Sequence, residues 1–510
     1  MAKAPAKTTA KTRASVGVGV AALNVNYTKF AAKWKRCRDV TNGQDAVYEA
    51  GVEYLPLLLG ETTDEYRARQ GRTPFFNASW RTVAGFVGMI FRKPPTKDIP
   101  PSLDEYLKDV TMTGISLDVF AQDTVYELMT TSLCGIYVDH PPLKTNDDGT
   151  PLTVRQAEGM GLRPSMKRYN VEAIRDWKLG RINNKTVLTQ VRLSEIKTVA
   201  ITEFKDEETA VIRVLDLDPD GFYRVRVFIE ASEEQDGDDV YPLMNGAKMT
   251  EIPFYFLTPD GAEIGYPEPI LLDLFDLNLK HYQVSADYEH GCHMTGLPTP
   301  WITGHRGEMG PDGKEVKETI RIGSTTMLVF PDKDTKVGFL QVQGGFEALE
   351  KNLDRKEAQM AAIGARMLAP EKTGVEAAET LTIRNSGEHS ILGAISVAGS
   401  TGIESAVNMF ARWLNVKKEC KYQLNRDFIP FVVDPAKMQA WLAAVQAGKM
   451  SGETFFDLLQ RGDLIPSDRT YEEEQDRIDA TPPPPPLPGA ELEEPDEDDP
   501  EKKKPAPKDE

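Results

Sequence analysis

Two stretches of sequence decide the fold: PEPILLDLFDLNLKHYQVSADYEH at residues 267–290 and FEALEKNLDRKEAQMAAIGARML at residues 346–368. In both stretches apolar residues recur at three- and four-residue spacing, which predicts amphipathic α-helices. At 1.5 Å per residue, about 23 residues make each helix about 35 Å long. The apolar stripes consist of Ile270, Leu274, Leu277, Val284 and Tyr288 in the first helix, and of Phe346, Leu349, Leu353, Met360, Ile363 and Met367 in the second.

Between the two helices lies a compact insert, residues 297–344. Its short apolar runs are separated by turn residues, and they predict strands at 300–303, 319–322, 326–330 and 337–342. Two long helices with a small β module between them predict a stalk that presents a docking surface.

The flanking regions make the whole chain an α+β protein. Helical periodicity and capping residues predict a helix from Asn77 to Lys93, a short helix that begins at a capping box of Ser102 and Glu105, and a helix over 117–128, and alternating apolar runs predict an antiparallel sheet at 135–257. After the second long helix we expect a short polar loop, a third helix ending near Asn415, and a helical hairpin at 434–466.

The composition excludes several classes of protein. The 510 residues, 40% apolar and 27% charged, exceed one hydrophobic core but form an ordinary globular mixture. A formal charge of −19 argues against a surface that binds nucleic acid or anionic lipid throughout. No apolar run reaches the roughly 18 residues of a spanning helix. Four widely separated cysteines favour a reducing compartment over a disulfide framework.

Charge is concentrated at both ends of the chain. Residues 1–36 hold eight basic residues and no acidic one, which predicts a flexible basic arm rather than a secretory signal. Residues 467–510 hold 16 acidic and 6 basic residues with a proline run at 482–486, which predicts a disordered tail.

Two stretches resemble a phosphate loop and a calcium loop, but each lacks a residue that the motif requires. In the glycine-rich stretch 307–314, a phosphate loop requires glycine at 308 and Ser or Thr at 315, where Glu308 and Glu315 stand. Asp216, Asp218 and Asp220 match the first half of a calcium loop, but the closing glutamate is replaced by Val227, so a hairpin turn is favoured.

A second cluster contains metal-ligand residue types near the end of the first long helix. His290, Cys292 and His293 are close in sequence, and His281 lies upstream. Two or three such side chains can hold zinc, although Cys134 is remote and nine residues place His281 and His290 on different helix faces. A polar helix end explains the same residues, and a metal-dependent enzyme using either cluster stays an alternative.

The order of these elements resembles the portal (head-to-tail connector) proteins of tailed bacteriophages. Several local strings are similar to one portal-like family, and the resemblance covers residues 45–466. The strings are Tyr54-Leu-Pro56, Glu65-Tyr66, Phe75-Phe-Asn77, Gly85-Phe-Val-Gly-Met-Ile-Phe-Arg-Lys-Pro94, Cys134-Gly-Ile-Tyr-Val-Asp139, Tyr169-Asn-Val-Glu-Ala-Ile-Arg-Asp-Trp177 and Ile252-Pro-Phe254.

The resemblance implies a portal-like ring subunit with a mixed α/β wing, two long stem helices, a small β-rich clip and a helical crown. The implied parts are a flexible basic arm at 1–40, the wing at 41–266, the first stem helix at 267–296, the clip at 297–344, the second stem helix at 345–369, the tunnel loop at 370–375, a wing-spanning helix with its return at 376–433, the crown hairpin at 434–470 and a disordered acidic, proline-rich tail at 471–510.

The resemblance also implies a function without catalysis, cofactor or metal. About 12 subunits would form a ring at one capsid vertex, assembled in the host cytoplasm and carried in the virion. Double-stranded DNA would pass through it without sequence-specific contacts. The expected partners are the terminase motor, head-completion or adaptor proteins, and the major capsid or scaffold protein, with no membrane. A virion adaptor or scaffold protein without a DNA channel is a further alternative.

The residues expected near DNA fall in two groups. The implied tunnel loop contains Pro370, Glu371, Lys372, Thr373 and Gly374, and Lys372 is its one basic residue. Lys351, Arg355 and Lys356 on the second long helix are channel-facing candidates. Charges that merely face solvent explain the second group equally well.

Overall fold

The structure is a computed structural model. It describes residues 19–140, 156, 161–182, 184–259, 265–296, 299–304, 334–340, 346–365, 378–426, 428, 435–462, 464–466 and 469–480. The mixed α+β class predicted from the sequence is confirmed. The chain divides into two units, Met1–Phe428 and Ile429–Glu510. No helix of the described residues is long and apolar enough to cross a membrane.

Helices dominate the first part of the larger unit. They are α1 (Tyr27–Asn42), α2 (Gln44–Ala50), α3 (Thr63–Arg72), α4 (Ala78–Ile90), α5 (Asp104–Leu107) and α6 (Leu117–Thr131). The Asn77 side chain accepts a hydrogen bond from the Trp80 N–H at 2.8 Å, so the predicted start of α4 is confirmed. The predicted capping box from Ser102 is wrong, because Pro101–Leu103 is a 3₁₀ turn and no side chain caps α5.

The predicted flexible arm at 1–40 is wrong from residue 19 onward. Tyr27, Phe30 and Trp34 recur at helical spacing and pack on Tyr266, with 5.0 Å between the Trp34 and Tyr266 ring centroids. Trp34 is fully buried, and burial of such an aromatic side chain outweighs the basic composition of the segment. The Arg192 guanidinium also donates to the Gly19 and Val20 carbonyls.

The strands form small antiparallel sheets. They are β1 (Thr96–Asp98), β2 (Cys134–Asp139), β3 (Ser165–Asn170), β4 (Ile174–Ile182), β5 (Lys185–Thr202), β6 (Lys205–Leu217), β7 (Tyr223–Ile229), β8 (Leu243–Met244), β9 (Ala247–Lys248), β10 (Phe254–Leu257), β11 (Thr299–Thr303), β12 (Lys336–Leu340) and β13 (Lys421–Gln423). In the three-stranded sheet β2 lies between β10 and β3, and in the four-stranded sheet β4, β5, β6 and β7 follow in order. In the described residues, the sheet expected at 135–257 is therefore present as three sheets, of which the pair β8 and β9 is the smallest.

Three long helices complete the larger unit. They are α7 (Leu272–Gly296), α8 (Phe346–Met360) and α9 (Ala378–Trp413). The helix α8 continues into a π-helical turn, Ala361–Ala365. The helix α7 begins five residues later than the predicted start at Pro267, because the Pro269 carbonyl accepts the Leu272 N–H in a turn. Strands β11 and β12 pair between α7 and α8, while the strands predicted at 319–322 and 326–330 lie outside the described residues.

The smaller unit contains three helices, α10 (Pro435–Gln446), α11 (Gly452–Arg461) and α12 (Tyr471–Ala480). The first two confirm the predicted hairpin at 434–466. The third corrects the disordered tail predicted at 471–510, which begins with a helix. Thr470 and Glu473 exchange backbone-to-side-chain hydrogen bonds at 3.2 Å, and the Tyr471 ring packs on Phe456. A capping box and acidic residues in the first turn stabilise this short helix.

Candidate functional site

The helix α7 is fixed to the larger unit by a buried polar side chain, Asn278. Its Oδ1 accepts hydrogen bonds from the Ser79 N–H at 3.1 Å and the Ser79 hydroxyl at 2.9 Å. Its amide nitrogen donates to the Phe76 carbonyl at 2.8 Å. The Ser79 N–H belongs to the first turn of α4 and has no partner within that helix, so Asn278 supplies the missing acceptor. The base of α7 is thus joined to the start of α4.

Asp276 and Gln283 add a second attachment of α7, close to Asn278. The Arg36 Nε lies 3.0 Å from the Asp276 Oδ1, and Gln283 donates to the Tyr54 carbonyl at 2.8 Å. Burial raises the pKa of the Asp276 carboxyl, although the Arg36 charge opposes that shift. These contacts join α7 to α1 and to the turn after α2, and they hold the first half of α7 rigidly.

The helix α8 runs antiparallel to α7, and three contacts set their register. Near the β-hairpin, Gly291 lets the Phe346 ring lie on the α7 backbone: a Cβ there would stand 2.3 Å from the Phe346 Cε1. In the middle, the His281 Nε2 is 3.2 Å from the Glu357 Oε1. At the far end, Met360 is buried in a cluster with Leu274. The described residues therefore contain two paired helices with the antiparallel strand pair β11–β12 between them in the sequence, as the predicted stalk requires.

Most of α8 is open to solvent. Met360 is the one buried residue of this helix, and the stripe residues Leu349 and Leu353 are only half-buried. Of the channel-facing candidates, Lys351 and Arg355 are exposed and Lys356 is half-buried. Within the part of the chain that the structure describes, much of the α8 surface is therefore exposed.

The charges on the helix pair are mixed in sign. The helix α8 carries four acidic and three basic residues, and α7 carries four acidic residues and one lysine. The Lys351 ammonium pairs with the Glu347 carboxylate at 2.6 Å, one turn away on an exposed face. Tight DNA binding requires several cations aimed at phosphates. The described stem residues do not group their cations in that way.

The tunnel-loop residues Pro370, Glu371, Lys372, Thr373 and Gly374 lie outside the described residues. Their expected position near DNA stays a prediction.

Two of the three aspartates of the possible calcium loop, Asp216 and Asp218, bind protein groups. The buried Asp216 carboxylate contacts Arg224 at 3.1 Å and Arg226 at 2.6 Å. Asp218 accepts the N–H groups of Phe222 and Asp220, and these hydrogen bonds hold the pKa of Asp218 below its usual range. The turn between β6 and β7 is closed by these bonds, which confirms the predicted hairpin.

The histidine and cysteine cluster does not assemble a set of metal ligands. Within the described part of the chain, no group of three or more His, Cys, Asp or Glu side chains is placed to hold a metal ion. Cys292 is exposed, and His281 faces Glu357 and the Phe76 ring instead of His290. Sequence spacing had separated His281 from His290 correctly, but it gave no signal for the contact with Glu357, 76 residues away.

Comparisons with known proteins match the helical core of this site. Residues 270–414 match the model of a domain of unknown function (DUF4055), a segment from just before α7 to the end of α9 and well under half of the chain. No curated protein sequence matches the chain.

Two solved structures are similar to the chain at low identity. One is a chain of the virion of a native gene transfer agent (GTA) particle, at 11% identity and a TM-score of 0.36, over 82% of this chain and 99% of that chain. The other belongs to the neck of an empty GTA particle computed with C6 symmetry, at 10% identity and a TM-score of 0.35, over 76% of this chain and 90% of that chain. TM-scores of this size carry no weight for fold or function.

Proposed function

We propose that this chain is a structural component of a phage-like particle, and specifically a portal protein. About 12 copies would form a closed ring at one capsid vertex and pass double-stranded DNA during packaging and ejection. The observation that carries the proposal is the antiparallel pair α7 and α8, with the paired strands β11 and β12 between them in the sequence and α9 after them. This is the chain order of the portal family that the sequence resembles.

The exposure of α8 supports assembly into a ring. A helix with an apolar stripe needs a surface to cover that stripe, and α7 covers only part of it. Neighbouring subunits related by rotation supply such a surface repeatedly, until the ring closes. The fixed base of α7 keeps each helix pair at the same angle, which a closed ring requires.

The charge pattern supports a conduit rather than a DNA clamp. Cations that neutralise phosphates release counterions and hold DNA strongly, which would oppose sliding. The helix pair carries more acidic than basic residues, so DNA passing near it would not be retained. The work of packaging would come from ATP hydrolysis by a separate terminase motor that docks on the clip. After packaging, head-completion or adaptor proteins would take its place.

Mass photometry of the purified full-length chain tests the proposal. We expect a species near 680 kDa, about twelve times the 56.7 kDa subunit, and negative-stain images with a central hole. A strict monomer or dimer at micromolar concentration would contradict the portal function. A closed assembly without a hole would favour the adaptor or scaffold alternative.

A further inference from the structure

The longest strand, β5, has two ends of different character. It contains 18 residues, so at about 3.3 Å per residue it spans nearly 60 Å. Its pairing with β4 ends at Leu193, and the pairing of β6 with β7 begins at Val211. Residues 194–210 therefore project as a two-stranded ribbon, which we call the distal ribbon.

The distal ribbon is apolar and acidic at its tip. Phe204 is 91% exposed, Ile201 is 53% exposed and Ile196 is 67% exposed, although large apolar side chains are usually covered. Glu203, Asp206, Glu207 and Glu208 are also exposed at the tip, against one basic residue there, Lys205, while Lys197 lies further down the ribbon and pairs with Asp236. At the tip, Phe204 and Ile201 are exposed beside these carboxylates, and exposed apolar residues bordered by charge mark a protein interaction site.

The opposite end of β5 has the complementary charge. The segment 177–194 contains no acidic residue, and Lys178, Arg181 and Lys185 are exposed around the turn between β4 and β5. We call Lys178, Arg181 and Lys185, together with the turn that they surround, the basic turn. It also exposes Leu179 and Ile182, at 46% and 40%. The two ends of one strand thus carry opposite charges and exposed apolar side chains.

An apolar groove adjoins the basic turn. It lies between β5, β10 and α9, has a volume of about 570 Å³, and is lined by Leu188, Tyr255, Leu257, Val397 and Ala398 among others. Opposed residues of an antiparallel pair, and residues two positions along, point to the same face. Leu179 is opposite Leu188 and Arg181 is opposite Thr186, so the face of the groove continues onto the basic turn.

We propose that the distal ribbon of one copy of this chain docks on the groove and basic turn of the next copy. Phe204 enters the apolar groove, while the acidic residues of the tip face Arg181, which lies on the same face of the sheet as the groove. Two different surfaces meet in this contact, so it is head-to-tail, the type that closes into a ring when the rotation permits. The inference rests on the proposed ring and adds the residues that join its subunits.

Charge exchange between the two ends tests the contact in the full-length protein. Glu207→Lys with Glu208→Lys places like charges in the interface, and so does Arg181→Glu. We expect each of these two variants to lower the ring fraction in mass photometry by about tenfold or more. The three substitutions together restore opposite charges, and we expect them to restore rings.

Phe204→Asp tests the apolar part, with Leu59→Asp as a matched control. Both side chains are exposed in the subunit, so neither change should alter its thermal melting appreciably. We expect Phe204→Asp to abolish rings and Leu59→Asp to leave them intact. If the wild type forms rings and the Phe204→Asp and charge-reversed variants form them equally well, the proposed contact is wrong and the portal function is unaffected. A wild-type chain that never forms rings contradicts both.

Discussion

Replacing Asn278 by leucine isolates the attachment at the base of the stem. Leucine fills a similar volume but leaves the buried Ser79 N–H and the Ser79 hydroxyl without their acceptor, while the Phe76 carbonyl keeps its hydrogen bond from the Ala78 N–H. Each buried group left unsatisfied costs about 1–3 kcal/mol, so the loss comes to about 3 kcal/mol. The cost is large because the substitution removes one partner of each bond and retains the other.

Amide hydrogen exchange measures this loss at the residue concerned. A change of about 3 kcal/mol is about a 100-fold loss of protection at the Ser79 amide, because each 1.4 kcal/mol is a factor of ten. Ser79→Ala is the matched control, because it keeps the Ser79 N–H bond to Asn278 and removes only the hydroxyl bond. We expect it to cost about 1 kcal/mol. Equal protection in Asn278→Leu and the wild type would refute the role assigned to this side chain.

The remaining predictions concern pH, DNA and the smaller unit. Burial raises the pKa of Glu195, but Arg213, Lys167 and Tyr169 lower it to about 2 overall, so this carboxylate stabilises the fold above pH 4.5 and that stability is lost as the pH falls toward 2. We expect the free energy of unfolding of Glu195→Gln to depend less steeply on pH in that window than that of the wild type. An equal pH dependence in the two proteins would refute this prediction. Lys372→Ala should leave rings intact and alter packaging or DNA retention, while the ion-paired Lys351→Ala should not; normal packaging in the first variant would remove Lys372 from the DNA path. Tyr471→Ala removes the ring contact with Phe456 and should destabilise α12 by about 1 kcal/mol, seen as faster proteolysis at 471–480.

Much of the secondary structure follows from local signals. Periodicity and breakers predicted α7, α8, α9 and the hairpin α10–α11, because each helix carries its own apolar stripe and end signals. The strands from β5 to β7 were likewise predicted from alternation, although β5 and β6 extend further than the apolar runs. Their distal halves remain paired to each other although they bury little, and such exposed pairing leaves no apolar pattern in the sequence.

The errors share a physical origin in distant contacts. The segment before Arg36 has the composition of a mobile arm, but its aromatic residues pack on Tyr266, more than 200 residues away. Asn278 and Ser79 are 199 residues apart, and neither belongs to a recognisable motif. The groove beside β5 forms only when α9 packs on β10. A single sequence indicates which apolar residues of a segment must be buried, but it does not indicate which distant surface will cover them.

The unequal attachment of the two stem helices has a mechanical consequence. The helix α7 is attached to the larger unit at its base. The helix α8 lies along α7, and its last residue, Met360, packs beside Leu274 and Ala78. From Phe346 to Met360, α8 is about 21 Å long at 1.5 Å per residue. When a motor docks on strands β11 and β12, as the proposed function requires, a force on them would be transmitted along α8 to Met360 and the π-helical turn. That turn precedes the expected tunnel loop, residues 370–375, in the sequence, so the force would reach the segment that is expected to meet the DNA.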